Sequence, residues 1–332
     1  MKKIFIAIVA IAAAAACSNV ETVSLNQEAI GFDNAFINNS VRSVIDPSLT
    51  TETLKTKGFG VYGFVTGTET APIFANEQVS WNGSAWTHPT VQYWIADAVY
   101  NFAAVAPYNA YTNVTAATTG LSLQFTNNGT TDLIYAQPDA ITGLESGNTA
   151  VAFNFKHVLS KVKFSFVNKY NATNSYLRVS NIKIENAYAT ANATLNATTA
   201  WAGHAGTLEL AFGNANTTQD DSAAVKFNTA VPEVESHNEL LLIPGAVPSF
   251  EKDSVVVPGY KVTFTVEVLI GDAVIKTYNH VVAADFTPVA GYSYDLKAEI
   301  SHKNLDPEHK QEPIEFTVTA IGDWTESGLE LN

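Results

Sequence analysis

Cysteine is almost absent from this chain, with Cys17 alone among 332 residues. No disulfide can form within it, so the fold rests on packing and backbone hydrogen bonds. Arginine is nearly as scarce, represented only by Arg42 and Arg178. Lys and Arg together number 18 against 32 Asp and Glu. That deficit of positive charge argues against nucleic acid as a partner, because phosphate backbones reward clustered Lys and Arg. Amphipathic helical spacing is rare, and beyond residue 16 no run is long and apolar enough to be a membrane segment.

Catalytic signatures are missing as well. His88, His157, His204, His237, His280, His302 and His309 show no His-Glu-x-x-His spacing, and no second cysteine could help to hold zinc. His302 and His309 flank the acidic, Pro-containing stretch "SHKNLDPEHK", which reads as a solvated loop rather than a metal site. There is no Gly-x-Ser-x-Gly elbow and no Gly-rich phosphate loop ahead of a helix. Asp220 with Asp221, and Glu233 with Glu235, have the character of exposed turns. The expectation is a protein that is not an enzyme and uses neither cofactor nor metal.

What the chain has in quantity is two-residue alternation. In "KVKFSFV", Val162, Phe164 and Phe166 share a face opposite Lys161, Lys163 and Ser165. In "YKVTFTVEVLI", Val262, Phe264, Val266, Val268 and Ile270 share one. In "PIEFTVTAI", Ile314, Phe316, Val318 and Ala320 do so. Each run reads as a strand with one buried and one wet face, separated from the next by turn clusters such as "TNNGTTD", "ESGNT" and "TPVAGY". The pattern predicts an all-β protein of antiparallel sheets packed as sandwiches, with few helices. One short helix is expected within residues 46–58, started by an Asp cap and ended by Gly58. A change of strand sets near residue 150 divides the chain into two β-sandwich domains, 43–150 and 151–332. The Ala/Asn/Thr-rich middle of the second, "ATANATLNATTAWAGHAG", reads as a hairpin or loop excursion.

The N-terminus addresses compartment. Lys2 and Lys3 precede an apolar run from Ile4 to Ala16, too short for a comfortable span and suited to an export-signal core. Cys17 directly after "AAAAA" resembles the bacterial lipobox, in which cysteine becomes the lipidated first residue. Residues 1–16 then form a lipoprotein signal peptide, and a lipid on Cys17 tethers the chain to the outer membrane. The alternative is an ordinary signal peptide cut near Ala16.

Two stretches invite a role. "SWNGSAWTHPTVQYWIADAVYNF" is dense in aromatics, and Trp81, Trp86 and Trp94 fit either a sugar-stacking face or core packing. In the second stretch, "QEAIGFDNAFINNSVRSVIDP", Ile30, Phe32 and, less regularly, Phe36 alternate ahead of a polar link that holds Arg42 and Ser43. Small polar residues in a link are where proteases cut, although Arg42 also reads as a plain surface cation.

The order "GFGVYGF", "YWIADAVYNFAAVAPY", "DLIYA", "FNFKHVLSKVKFSF", "LLLIPG" and "FTVTAIGDW" resembles the fimbrillin family of Bacteroidales pilins and related lipoprotein adhesins, from about residue 30 to about residue 325. The resemblance implies two tandem transthyretin-like β-sandwich domains. It implies export as a lipoprotein, and cleavage after Arg42 by an extracellular Arg- or Lys-specific protease, with Lys55 and Lys57 as fallback sites. Residues 17–42 become a prosegment whose first strand is removable. Other pilin subunits are the implied partners, each lending a C-terminal strand to the groove so opened. Donor candidates are Ile314, Phe316, Val318 and Ala320, or the tail with Leu329 and Leu331; the first set can instead complete its own domain. A host or bacterial surface ligand and an outer-membrane, later fimbrial, location complete the expectation. The rival reading is a monomeric surface lipoprotein that binds glycans.

Overall fold

The structure, a computed structural model, describes residues 28–37, 47–66, 70–216, 223–305 and 314–321. Cys17, Arg42, Ser43, His309, Leu329 and Leu331 lie outside the described residues. In chain order the first elements are β1 (Phe32–Ile37), α1 (Thr51–Lys57), β2 (Phe59–Thr66), β3 (Thr70–Trp81), β4 (Trp86–Thr87), β5 (Val99–Ala106), β6 (Tyr111–Ala117) and β7 (Gly120–Thr126). Then come β8 (Ile134–Ala136), β9 (Ile141–Thr142), β10 (Val151–His157), β11 (Ser160–Lys169), β12 (Ser175–Leu195), β13 (Thr199–Gly213), β14 (Ala215–Asn216) and β15 (Glu233–Ser236). The last are β16 (Leu240–Leu242), β17 (Ser249–Lys252), β18 (Val255–Pro258), β19 (Tyr260–Ile270), β20 (Ala273–Ala284), β21 (Ser293–Ser301), α2 (His302–Leu305) and β22 (Phe316–Ile321). The protein is all-β, as its alternation predicts.

The first sheet runs β1-β10-β8-β5-β2-β3-β4, with β9 on β5. The second runs β14-β15-β11-β21-β22, with β16 on β11, and the third runs β20-β19-β12-β7-β6, with β13 on β12. Most neighbours are antiparallel, but β1 pairs with β10, and β11 with β21, in parallel.

Alternation sorts the side chains into cores. On β5, Tyr100, Phe102, Ala104 and Ala106 enter one cluster with Phe59, Val61, Phe74, Phe153 and Phe155, while Ala103 and Val105 enter another on the opposite face. β5, in the middle of the first sheet, is therefore buried on both faces. Val162, Phe164 and Phe166 of β11 meet Val262, Phe264, Val266 and Val268 of β19 in a third cluster between the second and third sheets.

Several sequence expectations need correction. Ile270 ends its strand exposed rather than buried with its neighbours. Lys161, expected on a wet face, is buried and paired with Glu239 at 3.2 Å. The short helix is capped by Thr50, not by an Asp, in a reciprocal capping box with Thr53, and it stops at Gly58, whose φ of 64° suits glycine. The division at residue 150 cuts across real pairing, because β10 belongs to the first sheet, between β1 and β8. The excursion in the middle of the chain is a long hairpin of β12 and β13, and β12 pairs along its other edge first with β19 and then with β7.

Candidate functional site

The N-terminal segment docks along the end of the first sheet. Ile30 N–H donates to the Gln92 carbonyl at 2.7 Å, and Trp94 N–H donates to the Glu28 carbonyl at 3.0 Å. From Gly31 onward the partner changes: Val151 N–H donates to the Gly31 carbonyl at 2.8 Å, and β1 then runs parallel to β10 from Phe32↔Val151 to Ile37↔Phe155. At its far end Ile37 N–H donates to Thr51 Oγ1 at 3.1 Å, tying the strand to α1. At its near end the Glu28 carboxylate accepts from the N–H groups of Gly147 at 2.8 Å and Asn148 at 2.6 Å. Those two donors hold the Glu28 carboxyl below its ordinary pKa.

Its side chains fill a groove. Ile30, Phe32, Ala35 and Ile37 are all buried. The Phe32 ring is surrounded by Phe74 at 5.4 Å, His88 at 4.8 Å, Phe102 at 6.2 Å and Phe153 at 5.7 Å between centroids. Edge-on and tilted ring pairs of this kind are favourable beyond the area they bury. His88 adds a polar contact, its Nε2 lying 3.2 Å from the Ile30 carbonyl. Gly63 makes room for two of these rings: a Cβ there would lie 2.9 Å from Phe74 and 3.1 Å from Phe102.

Of the expected prosegment residues, Ile30 and Phe32 face inward and Phe36 does not. Phe36 is 44% exposed. The register between β1 and β10 shifts between Asp33 and Phe36, and that bulge moves the inward frame from even to odd positions. Ala35 and Ile37 take the places that strict alternation assigns to residues 34 and 36. The visible signal was the small–large–aliphatic ending "AFI", which fits two frames equally well.

Downstream of the link, the chain is anchored again. Leu49 N–H donates to Asp132 Oδ2 at 2.9 Å, and His157 Nδ1 lies 2.6 Å from the same oxygen, with both side chains buried. The stretch 38–46, which holds Arg42 and Ser43, thus joins two fixed points. The other arginine, Arg178, lies on β12 and donates through Nε to Glu267 at 2.6 Å. Lys55 pairs with Glu52 at 2.8 Å on α1.

At the opposite end of the chain, β22 closes the second sheet on β21, from Phe316↔Ala298 to Ile321↔Ser293. Ile314 is buried, Phe316 and Val318 pack part-buried on the chain's own core, and Ala320 is exposed. These donor candidates are therefore already used at home in this structure, with Ala320 contributing no buried side chain.

The aromatic face is not a platform. Trp86 and Trp94 are buried, Trp86 edge-on to Phe59 at 5.0 Å and Trp94 edge-on to Tyr100 at 4.7 Å. Trp81 is part-exposed, and Lys55 Nζ sits 5.1 Å from the centre of its ring. Trp86 and Trp94 belong to the core cluster that also takes in Ile30, Phe32, Ala35 and Ile37.

The fimbrillin-like family model matches residues 49–324. No curated protein matches the sequence. Solved structures similar to this one include a candidate cell adhesion protein from Bacteroides uniformis, with 17% identity over 88% of this chain and 99% of that one and a TM-score of 0.45. Another is a candidate cell adhesion protein from Bacteroides ovatus, at 15% identity over 91% and 99%, with a TM-score of 0.47. A third is the fimbrial anchor protein of Porphyromonas gingivalis, at 12% identity over 81% and 90%, with a TM-score of 0.32.

Proposed function

The chain belongs to the fimbrillin-like family, and on that premise we propose that it is a fimbrial subunit whose first strand is exchanged for one from a neighbouring subunit. It is exported as a lipoprotein carrying lipid on Cys17, held at the outer membrane, and cut between Arg42 and Ser43 by an extracellular Arg-specific protease. Release of residues 17–42 opens the groove under β1, and a neighbour's C-terminal segment fills it. The product is a surface fimbria that supports adhesion.

The observation that carries this reading is Phe32 among Phe74, His88, Phe102 and Phe153, on a ten-residue segment that ends just before the Arg42 link. An empty groove would leave four aromatic side chains and the free edge of β10 unpaired, and such an edge is a template for another strand. Burying Ile30, Phe32 and Ile37 is worth about 1.5–3 kcal/mol each before the cost of ordering the segment. A replacement strand of similar composition regains that energy.

Scarcity of arginine supports a single cut. With Arg178 on β12 ion-paired to Glu267 of β19, an Arg-specific protease has Arg42 as its one remaining target in the sequence. Digestion of the intact protein should give one product beginning at Ser43, which then forms concentration-dependent, SDS-resistant oligomers. Arg42→Ala should block both steps. A single clean cut that leaves a permanently monomeric chain would overturn the proposal. The glycan-binding alternative loses its platform with Trp86 and Trp94 in the core.

A further inference from the structure

The middle of the first sheet carries a notch. β8 lies between β10 and β5 but has three residues, against seven in β10 and eight in β5. With Lys156 opposite Tyr135, and Ala104 opposite Ala136, both Asn154 and Asn101 fall beyond the point where β8 ends. Alternation sends their side chains away from the Trp86 and Trp94 cluster, because Phe153, Phe155, Tyr100 and Phe102 already fill that face. The notch opens into a cleft of about 700 Å³, within the range of roughly 300–1,000 Å³ typical of small-molecule sites. Its remaining walls are the loop after β8, with Asp139, and the turn between β12 and β13, with Asn196.

The turn wall is held in place. Leu195 pairs with Thr199 along one edge and with Leu121 along the other. Gly120 lets the β6–β7 turn close against it, since a Cβ there would lie 2.2 Å from the Leu195 carbonyl oxygen. Asn196 Oδ1 accepts from the Thr198 N–H at 2.8 Å, which leaves the amide nitrogen to donate. Elsewhere the chain spends such groups internally: Asn127 donates to the Leu241 carbonyl and Asn168 to the Phe227 carbonyl. Lys163, Lys183, Lys261 and Lys297 meet carboxylates at 2.5–2.8 Å. In the cleft the side chains of Asn101, Asp139, Asn154 and Lys156 have no hydrogen-bond or ion-pair partner among the described residues.

We infer that this cleft binds a short, uncharged saccharide, through Asn101, Asn154, Asn196, Asp139 and Lys156. Charge selects the class first. Asp139 and Lys156 cancel, and Lys156 is the one cation among the described residues that line the cleft, too few to favour a phosphate or sulfate. Hydrogen bonding selects it further. Each sugar hydroxyl both donates and accepts, and a carboxamide presents an oxygen and an NH₂ side by side, so one Asn can hold two neighbouring hydroxyls. Asp139 adds acceptors and Lys156 adds donors, while Pro138 and Val158 give apolar surface for the sugar C–H groups. The site lies across the sheet from Trp86 and Trp94 and uses none of the aromatic stretch. It belongs to the uncut chain, so it stands whether or not β1 is exchanged.

The test titrates the uncut full chain with lactose, maltose, mannobiose and N,N′-diacetylchitobiose, followed by saturation-transfer NMR. At least one of the four should saturate with a Kd on the order of 1 mM, the affinity that a few net hydrogen bonds provide. Asn101→Ala and Asn154→Ala should each weaken that sugar about three- to tenfold, with the thermal midpoint unchanged because neither side chain holds the fold. Sialylated or sulfated lactose should bind no better than lactose itself. Three results would overturn the inference: no saturation by any of the four sugars up to about 50 mM, equal binding by both Asn variants, or a preference for the acidic sugars that disappears in Lys156→Ala. None of them would touch the fimbrial reading, which is tested by cleavage and oligomer formation.

Discussion

Replacing Phe32 and Phe36 separately by alanine gives the most direct measure of what β1 contributes. The two phenylalanines are four residues apart on one six-residue strand, and composition alone treats them as equals. Phe32 is 4% exposed and touches four rings; Phe36 is 44% exposed. Removing a fully packed phenylalanine costs the transfer energy of the ring plus that of the cavity left behind, about 3–5 kcal/mol. Because β1 lies at the end of its sheet, the strand can shift to relieve part of that cavity, so Phe32→Ala should fall near the lower figure. Phe36→Ala should stay within about 0.5 kcal/mol. Denaturant unfolding of the uncut protein, followed by tryptophan fluorescence, suits the question because Trp86 and Trp94 belong to the same cluster as Phe32. Equal losses for the two variants, or a larger loss for Phe36→Ala, would refute both the bulged register and the aromatic groove.

Other outcomes follow from the same geometry. Glu28, its carboxyl held below the ordinary range by the Gly147 and Asn148 amides, stabilises the docked segment above its unfolded pKa and loses that effect as pH falls through the lowered folded value; the protection factors of the Gly147 and Asn148 amides, corrected for the intrinsic pH dependence of exchange, should fall on acidification, and Glu28→Gln should flatten the response. Gly63→Ala drives a methyl against Phe74 and Phe102 and should destabilise by about 1–3 kcal/mol in thermal or denaturant unfolding. Asp132→Ala removes the buried Oδ2 shared by the Leu49 amide and His157 Nδ1 and should cost about 2–4 kcal/mol, read by denaturant unfolding. Trp94→Ala should lower stability in the same assay by about 3–5 kcal/mol; polysaccharide binding that vanishes while stability is unchanged would contradict a core role.

Strand identity was legible wherever burial follows a strict two-residue period. Val162, Phe164 and Phe166, or Val262 through Val268, needed only the rule that one face of a half-buried strand is apolar. Legibility failed where backbone geometry interrupts the period. The bulge in β1 hid Ala35 and Ile37 behind the more conspicuous Phe36, because a one-residue slip reverses every side chain after it. Thr50 could not be preferred over Asp46 as helix cap until the reciprocal contact with Thr53 was seen. The aromatic cluster was readable as core or platform from composition alone, and only the placement of β1 beside Phe74, Phe102 and Phe153 decided it. Lys161 and Glu239 are far apart in sequence, so no local pattern marks either for burial. The division near residue 150 failed for a related reason: turn residues mark where a strand ends, but not which sheet the next one joins.

The 21-residue strand β12 carries β13 along one edge and β19 followed by β7 along the other. A single unbroken backbone therefore threads both halves of the molecule, where a tandem arrangement would ordinarily place a hinge. Traction along its length loads rows of backbone hydrogen bonds sideways and together, rather than peeling them one at a time.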